Sequence, residues 1–297
     1  MQPKKVIVTS VIGVAVLAGI VILAQLIRSS AGGQGFIETY PGFVAPAEGT
    51  PEGFPAWLGW QHFLNAFFLL LIIRTGWIIR SKVRPPAFWT RNDNGILKLT
   101  GAKKRMGIYH WFHLCLDFLW VLNGIIFIVL LFVTGQWLRI VPTSWDVFPN
   151  AVSAAIQYAS FNWPPEYSWT NYNSLQVLSY FVTVFIAAPI AIKTGLRLSP
   201  VWPLEGWLAR IFPEGVAKRW HAGVMFYFLA FIVVHVTLVL ASGALANLDG
   251  MYAGQDSASW LGFGIFALSL VVMIVAWFLA KPSILKPIAR LSGKVQG

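Results

Sequence analysis

By length alone, 297 residues would make one or two soluble domains, but the composition points to a different solvent. Apolar residues make up 57% of the chain and charged residues only 11%, against about 25% charged in ordinary soluble domains. A net charge of +11 raises nucleic acid as a partner, and the lone Cys115 excludes both an internal disulfide and a thiolate-bound iron–sulfur cluster.

A lipid-spanning helix needs about 20 mostly apolar residues, with every backbone hydrogen bond made internally. Six stretches meet that length, at about 6–27, 57–79, 107–135, 173–197, 220–245 and 259–280. The first, Val6 to Leu26, follows Lys4 and Lys5. It outruns the ~7–15-residue apolar core of a secretory signal and reads as a retained transmembrane helix. Pro189 falls inside the fourth and predicts a kink there. The expected fold is an all-α membrane protein of six transmembrane helices. Residues 1–55 supply the first helix and a loop, 56–246 a four-helix core (helices 2–5), and 247–297 the last helix and a basic tail.

The connections sort by charge. Basic residues gather before the first span and in the second-to-third loop, with Arg80, Lys82, Arg84, Arg91, Lys98, Lys103, Lys104 and Arg105. They gather again between the fourth and fifth spans, with Arg210, Lys218 and Arg219, and in the tail, with Lys281, Lys286, Arg290 and Lys294. The other loops hold only Arg28 and Arg139, and carry acidic residues that include Glu38, Asp146, Glu166 and Asp249. The positive-inside rule then puts both termini in the cytoplasm of a cell whose plasma membrane the chain crosses repeatedly. The basic excess reads as orientation and attraction to membrane lipid, with no nucleic-acid partner. Two outer loops are long. Residues 28–56 are rich in Gly and Pro, and residues 136–172 in aromatics, among them Trp137, Trp145, Tyr158, Trp163, Tyr167, Trp169 and Tyr172. Such rings usually sit at headgroup level, and a partner-docking surface is the other reading. No internal repeat or low-complexity segment is evident.

The five histidines, His62, His110, His113, His221 and His235, all fall in or at the edge of spans. Ionisable groups are costly in lipid and need a partner or a task. His221 and His235 share the fifth span, 14 residues apart, so they face nearly the same way at levels about 21 Å apart. That separation suits two stacked macrocycles. Depth along the spans pairs His62 with His235, and His113 or His110 with His221. His113 lies deeper and is preferred; His110 would cap the site, contact a propionate or sit among headgroups. Bis-histidine ligation of two b-type haems leaves no open iron position, which suits electron transfer. The bland reading is a set of histidines hydrogen-bonded between helices. Arg74 lies about 18 Å inward of His62, either as a propionate partner or snorkelling to the interface. Asp117 is read as a structural hydrogen-bonding group, with proton transfer to a quinone as the alternative.

Three segments carry a resemblance. They are His62-Phe-Leu-Asn running on to Arg74-Thr75-Gly76, Trp111-Phe-His-Leu-Cys-Leu-Asp117, and Arg219-Trp-His-Ala followed by Val234-His-Val. Over residues 56–246 they resemble the prokaryotic cytochrome b561 superfamily. That superfamily includes the b-type subunits of nickel–iron hydrogenases and formate dehydrogenases, and the likeness is to members accompanying molybdopterin oxidoreductases. The resemblance implies ligands at His62, His113, His221 and His235, two haem b groups, a bound quinone and a separate catalytic subunit. The added first helix inverts the core relative to family members, so it leaves open which face meets the partner. The expected function is a di-haem subunit passing electrons between a quinone pool and that partner. The rivals are a self-sufficient quinone-linked oxidoreductase acting on a small redox substrate such as superoxide, and a haem-free transporter or scaffold.

Overall fold

The computed structural model of the chain describes residues 3–92, 105–163, 168–202 and 207–297; Lys98, Lys103, Lys104, Glu166 and Tyr167 lie outside them. The protein is an all-α membrane protein. Six helices are long and apolar enough to cross a membrane: Ile7–Ser29, Ala56–Arg80, Ile108–Val133, Ser174–Leu198, Glu214–Ala253 and Trp260–Leu279. Their large side chains face outward in number, among them Leu17, Phe118, Val133, Val233 and Phe278, which are more than half exposed. Water would penalise that surface, and lipid does not.

The chain divides into two compact units, residues 1–53 with 131–186 and residues 54–130 with 187–297. The first unit holds α1 (Pro3–Ser29) and α2 (Ala31–Thr39). The stretch 136–172 is not a plain loop, because it contains a further helix, Val147–Ala159. Buried amides of that helix bind the backbone of residues 41–42. Asn150 Oδ1 accepts from Gly42 N at 2.9 Å, and Gln157 Nε2 donates to the Pro41 carbonyl at 3.0 Å. Arg139 is 4% exposed and donates to the Gly53 and Ser168 carbonyls. These polar side chains supply partners that a loop backbone away from water needs. Burial pushes the Tyr172 phenol above its ordinary pKa, against the pull of the nearby Arg139 guanidinium.

The second unit opens with α3 (Ala56–Arg80) and a strand, β1 (Phe88–Arg91). Next come β2 (Arg105–Gly107) and α4 (Ile108–Val133), whose last three residues belong to the first unit. The Val147–Ala159 helix is α5 in chain order. The fourth span begins within the first unit as α6 (Ser174–Phe181), passes through a π-helical turn at Val182–Ala187, and continues in the second unit as α7 (Ala188–Leu198). Pro189 sits just after that turn. It cannot donate to the carbonyl four residues back, and a π turn absorbs the mismatch. After α8 (Trp207–Ile211), α9 (Glu214–Leu248) runs into a second π turn, Asp249–Ala253. Then follow α10 (Trp260–Leu279), α11 (Pro282–Arg290) and β3 (Gly293–Gln296). The basic tail is therefore ordered. β3 pairs antiparallel with β1, β2 flanks β1 on its other edge, and Leu285 and Ala289 of α11 pack on Ala87, Ile108 and Trp111.

α7 packs along α9, and a buried layer of Ile73, Ala187, Val224 and Phe228 joins α3, the end of the first π turn and α9. The second π turn reaches α3, α9 and α10. It comes so near α3 that a Cβ on Gly59 would lie 2.7 Å from the Met251 carbonyl oxygen. Only glycine fits there, three residues before His62.

Candidate cofactor site

Four of the five histidines meet as two facing pairs, all within the second unit. The rings of His62 (α3) and His235 (α9) have centroids 6.2 Å apart, with planes inclined at 56°. Those of His113 (α4) and His221 (α9) lie 6.3 Å apart at 77°. The two α9 histidines are separated by unbroken helix, because its one non-helical residue, Gly243, comes after both. The pairs therefore stand about 21 Å apart along that axis.

The ring separation is informative. Two imidazoles hydrogen-bonded to each other would have nitrogens ~2.9 Å apart and centroids near 5 Å. A metal bound between them at ~2.0–2.1 Å from each nitrogen spreads the centroids to about 6.2–6.4 Å. Both pairs are too far apart for the first and match the second, a distance that packed rings such as Trp120 and Phe228 at 6.3 Å also take up.

The surroundings of the pairs differ. In the first, Phe231 stacks on His235 at 5.4 Å and 5°, one helical turn before it. Tyr252, from the second π turn, meets His62 edge-on at 5.7 Å and 89°. His62 Nδ1 is buried with no hydrogen-bond partner. In the second pair, each Nδ1 meets a threonine. Thr75 Oγ1 on α3 lies 2.7 Å from His113 Nδ1, and Thr194 Oγ1 on α7 lies 2.9 Å from His221 Nδ1. A glycine follows each threonine. A Cβ on Gly76 would sit 3.5 Å from His113 Cε1, and one on Gly195 would sit 3.5 Å from His221 Cε1. A methyl group would just touch the imidazole edge, and anything larger would enter the space beside the ring.

Of the two histidines on α4, His113 is the one whose ring meets His221. It is 8% exposed, whereas His110 is only half-buried and three residues nearer the start of the helix. Asp117 lies one turn beyond His113, its Oδ2 3.6 Å from Nε2 and too distant for a hydrogen bond. Arg74 rests against aromatic faces, 5.2 Å from the Trp277 ring centre and 6.0 Å from that of Tyr109. Its Nη1 is buried without a hydrogen-bond partner.

The chain matches no family model, no curated protein and no solved structure.

Depth arithmetic along the spans does not reach Thr75, Thr194, Gly76, Gly195, Phe231 or Tyr252. One signal for four of them exists in the sequence. The triplet basic–Thr–Gly occurs as Arg74-Thr75-Gly76 and again as Lys193-Thr194-Gly195. It is too short to register as a repeat, and it gains meaning only when each threonine is seen against a histidine of the next long helix.

Among the described residues, no group of three or more His, Cys, Asp or Glu side chains is arranged to hold a metal ion. Each pair offers two nitrogens, so a six-coordinate metal there would need four equatorial donors from the cofactor itself.

Proposed function

We propose that this chain is a di-haem b-type membrane cytochrome subunit that passes electrons between a quinone pool and a partner oxidoreductase. The observation that carries the reading is that four histidines meet as two pairs, at two levels of one bundle. The donor set fits haem b, with two imidazole nitrogens per site and a macrocycle to supply the rest. The glycines at 76 and 195 leave space beside the second pair. The buried, unpartnered Nη1 of Arg74 is a donor suited to a propionate.

Under this reading His62 with His235, and His113 with His221, would hold the two groups. Bound haem would supply one-electron chemistry between ferric and ferrous iron. The chain's own residues fix the imidazoles at both levels and surround them with apolar and aromatic side chains. They also keep the two levels about 21 Å apart along α9. Between those levels Phe228 stands midway on α9, seven residues from each histidine, with Trp120 of α4 edge-on to it at 6.3 Å.

Membership of the prokaryotic cytochrome b561 superfamily belongs to the same proposal and is supported by the residues alone. So do a site in the prokaryotic plasma membrane, cytoplasmic termini and a separate molybdopterin- or hydrogenase-type subunit. A self-sufficient oxidoreductase acting on a small substrate such as superoxide remains the second reading, because two redox levels in one bundle would serve it equally. Adding a short-chain quinol to the purified protein, first alone and then with superoxide as a small electron acceptor, separates the cases. The proposal expects the b-type absorption bands to reduce, with negligible steady turnover until a partner is supplied. Sustained partner-free turnover favours the second reading, and no reduction at all contradicts the quinone link.

A further inference from the structure

We infer that Thr75 and Thr194 are positioning residues for the second histidine pair, fixing the tautomer in which Nε2 of His113 and of His221 carries the free lone pair. The inference rests on the haem reading above and adds to it how one of the two sites is prepared and tuned.

The argument is a count of protons. A threonine hydroxyl has one hydrogen to donate and lone pairs to accept with. Thr75 Oγ1 lies 2.8 Å from the Leu71 carbonyl oxygen and 3.0 Å from that of Ile72, on its own helix. Thr194 Oγ1 lies 2.7 Å from the Ile190 carbonyl and 3.1 Å from that of Ala191. Back-bonding of this kind spends the hydroxyl hydrogen on the helix backbone. The remaining contact, to the imidazole, must then be an Nδ1–H donating to Oγ1. With the proton on Nδ1, Nε2 is left bare, as a metal ligand requires.

The same device appears twice, on different helices, with the same following glycine. Thr75 is 0% exposed and Thr194 2% exposed, so no water competes for either contact. The first pair lacks this on one side at least, because His62 Nδ1 has no partner. An Nδ1–H that donates makes the ring a stronger electron donor and favours ferric iron. The threonine-held site is therefore assigned the lower reduction potential of the two.

The test is a redox titration, with haem quantification, of the purified chain and of Thr75→Val, Thr194→Val, Thr75→Ser and Thr194→Ser. Valine keeps the shape and deletes the acceptor; serine keeps the acceptor. The expected result is a rise in the lower of the two potentials in each valine variant. It corresponds to about a three- to tenfold change in the ferric–ferrous equilibrium, at 59 mV per tenfold for one electron. Haem at that site is also expected to bind roughly 10–100-fold more weakly. The higher potential stays unchanged, and both serine variants behave as wild type. Should one valine variant fail to accumulate, the other is read by the same titration, and a shifted serine variant counts against the proposal. Valine variants with both potentials and haem content unchanged overturn it while leaving the haem reading intact. A wild-type chain that binds no haem overturns the haem reading itself.

Discussion

Replacing His235 with alanine is expected to remove one haem per chain and leave the other, and His62→Ala is expected to lose the same one. His113→Ala and His221→Ala are expected to lose the second. The haem-to-chain ratio then falls from about two to about one in each single variant. The pairing of losses follows from geometry. His62 and His235 face each other at 6.2 Å, His113 and His221 at 6.3 Å, and about 21 Å of helix separates the levels. Removing one imidazole would leave its opposite ring as the only histidine at that level to hold the group. Combining His62→Ala with His221→Ala is expected to remove both haems, whereas His62→Ala with His235→Ala costs only one. His110→Ala is expected to retain both. Haem quantification of detergent-purified variants reads all of these, and loss from His110→Ala but not from His113→Ala would contradict the assignment.

The second large effect lies at Asp249. Its side chain is fully buried at the end of α9 and accepts from Ser257 Oγ, Ser259 N, Ser259 Oγ and Gly262 N. Two of those donors are backbone N–H groups at the start of α10, where a carboxylate also meets the positive end of the helix dipole. Asp249→Ala leaves the buried Gly262 N–H without its partner and takes the acceptor from three part-buried donors, and a buried donor left unpaired costs more than a typical hydrogen bond is worth. The consequence extends beyond α10. Asp249 opens the π turn that carries Met251 against Gly59 and Tyr252 against His62. The apparent melting temperature is therefore expected to fall by about 5 °C or more. The His62–His235 haem is expected to become the more easily lost of the two. Asp249→Asn, which keeps one acceptor oxygen, is expected to fall between. A thermal melt followed through the haem absorption gives both readouts, and an unchanged Asp249→Ala would contradict this role.

The six spans were legible because each is a long apolar run bounded by charge, and their ends agree with the helices to within a few residues. The fifth is the exception. It continues to Ala253, past Gly243 at φ 152° and through Asn247 and Asp249. Those polar and glycine residues read as the end of a span, yet Asp249 is satisfied internally and Asn247 donates to Val239 O and Ser242 Oγ. Helix α5 was not legible for a related reason. Its buried face mixes Val147, Ala151 and Ala154 with Asn150, Ser153 and Gln157, so no apolar stripe stands out. The strands are three or four residues long and pair across distant parts of the sequence, which no local pattern reports.

Pairing of the histidines was legible because depth depends only on residue count and span direction, both of which the sequence supplies. The choice between His110 and His113 needed one more quantity, the rotation of α4. Residues three apart on a helix differ by only about 60° in direction and about 4.5 Å in height, so His110 and His113 share a face and the exact rotation and depth of α4 decide which of them meets His221. The threonine contacts needed still more, namely the relative rotation of two helices at each level. Thr75 also stands 13 residues beyond His62, so α3 contributes a ring at one level and a hydroxyl at the other. That division of labour is invisible until α3 is placed against both α4 and α9.

The most direct test of the central claim is a reduced-minus-oxidised spectrum of the purified wild-type chain, with haem extracted and counted against protein. Two b-type haems per chain, both low-spin as two nitrogen ligands to each iron require, is the predicted result. A chain that folds and purifies with no haem, and takes up none when it is supplied, contradicts the account.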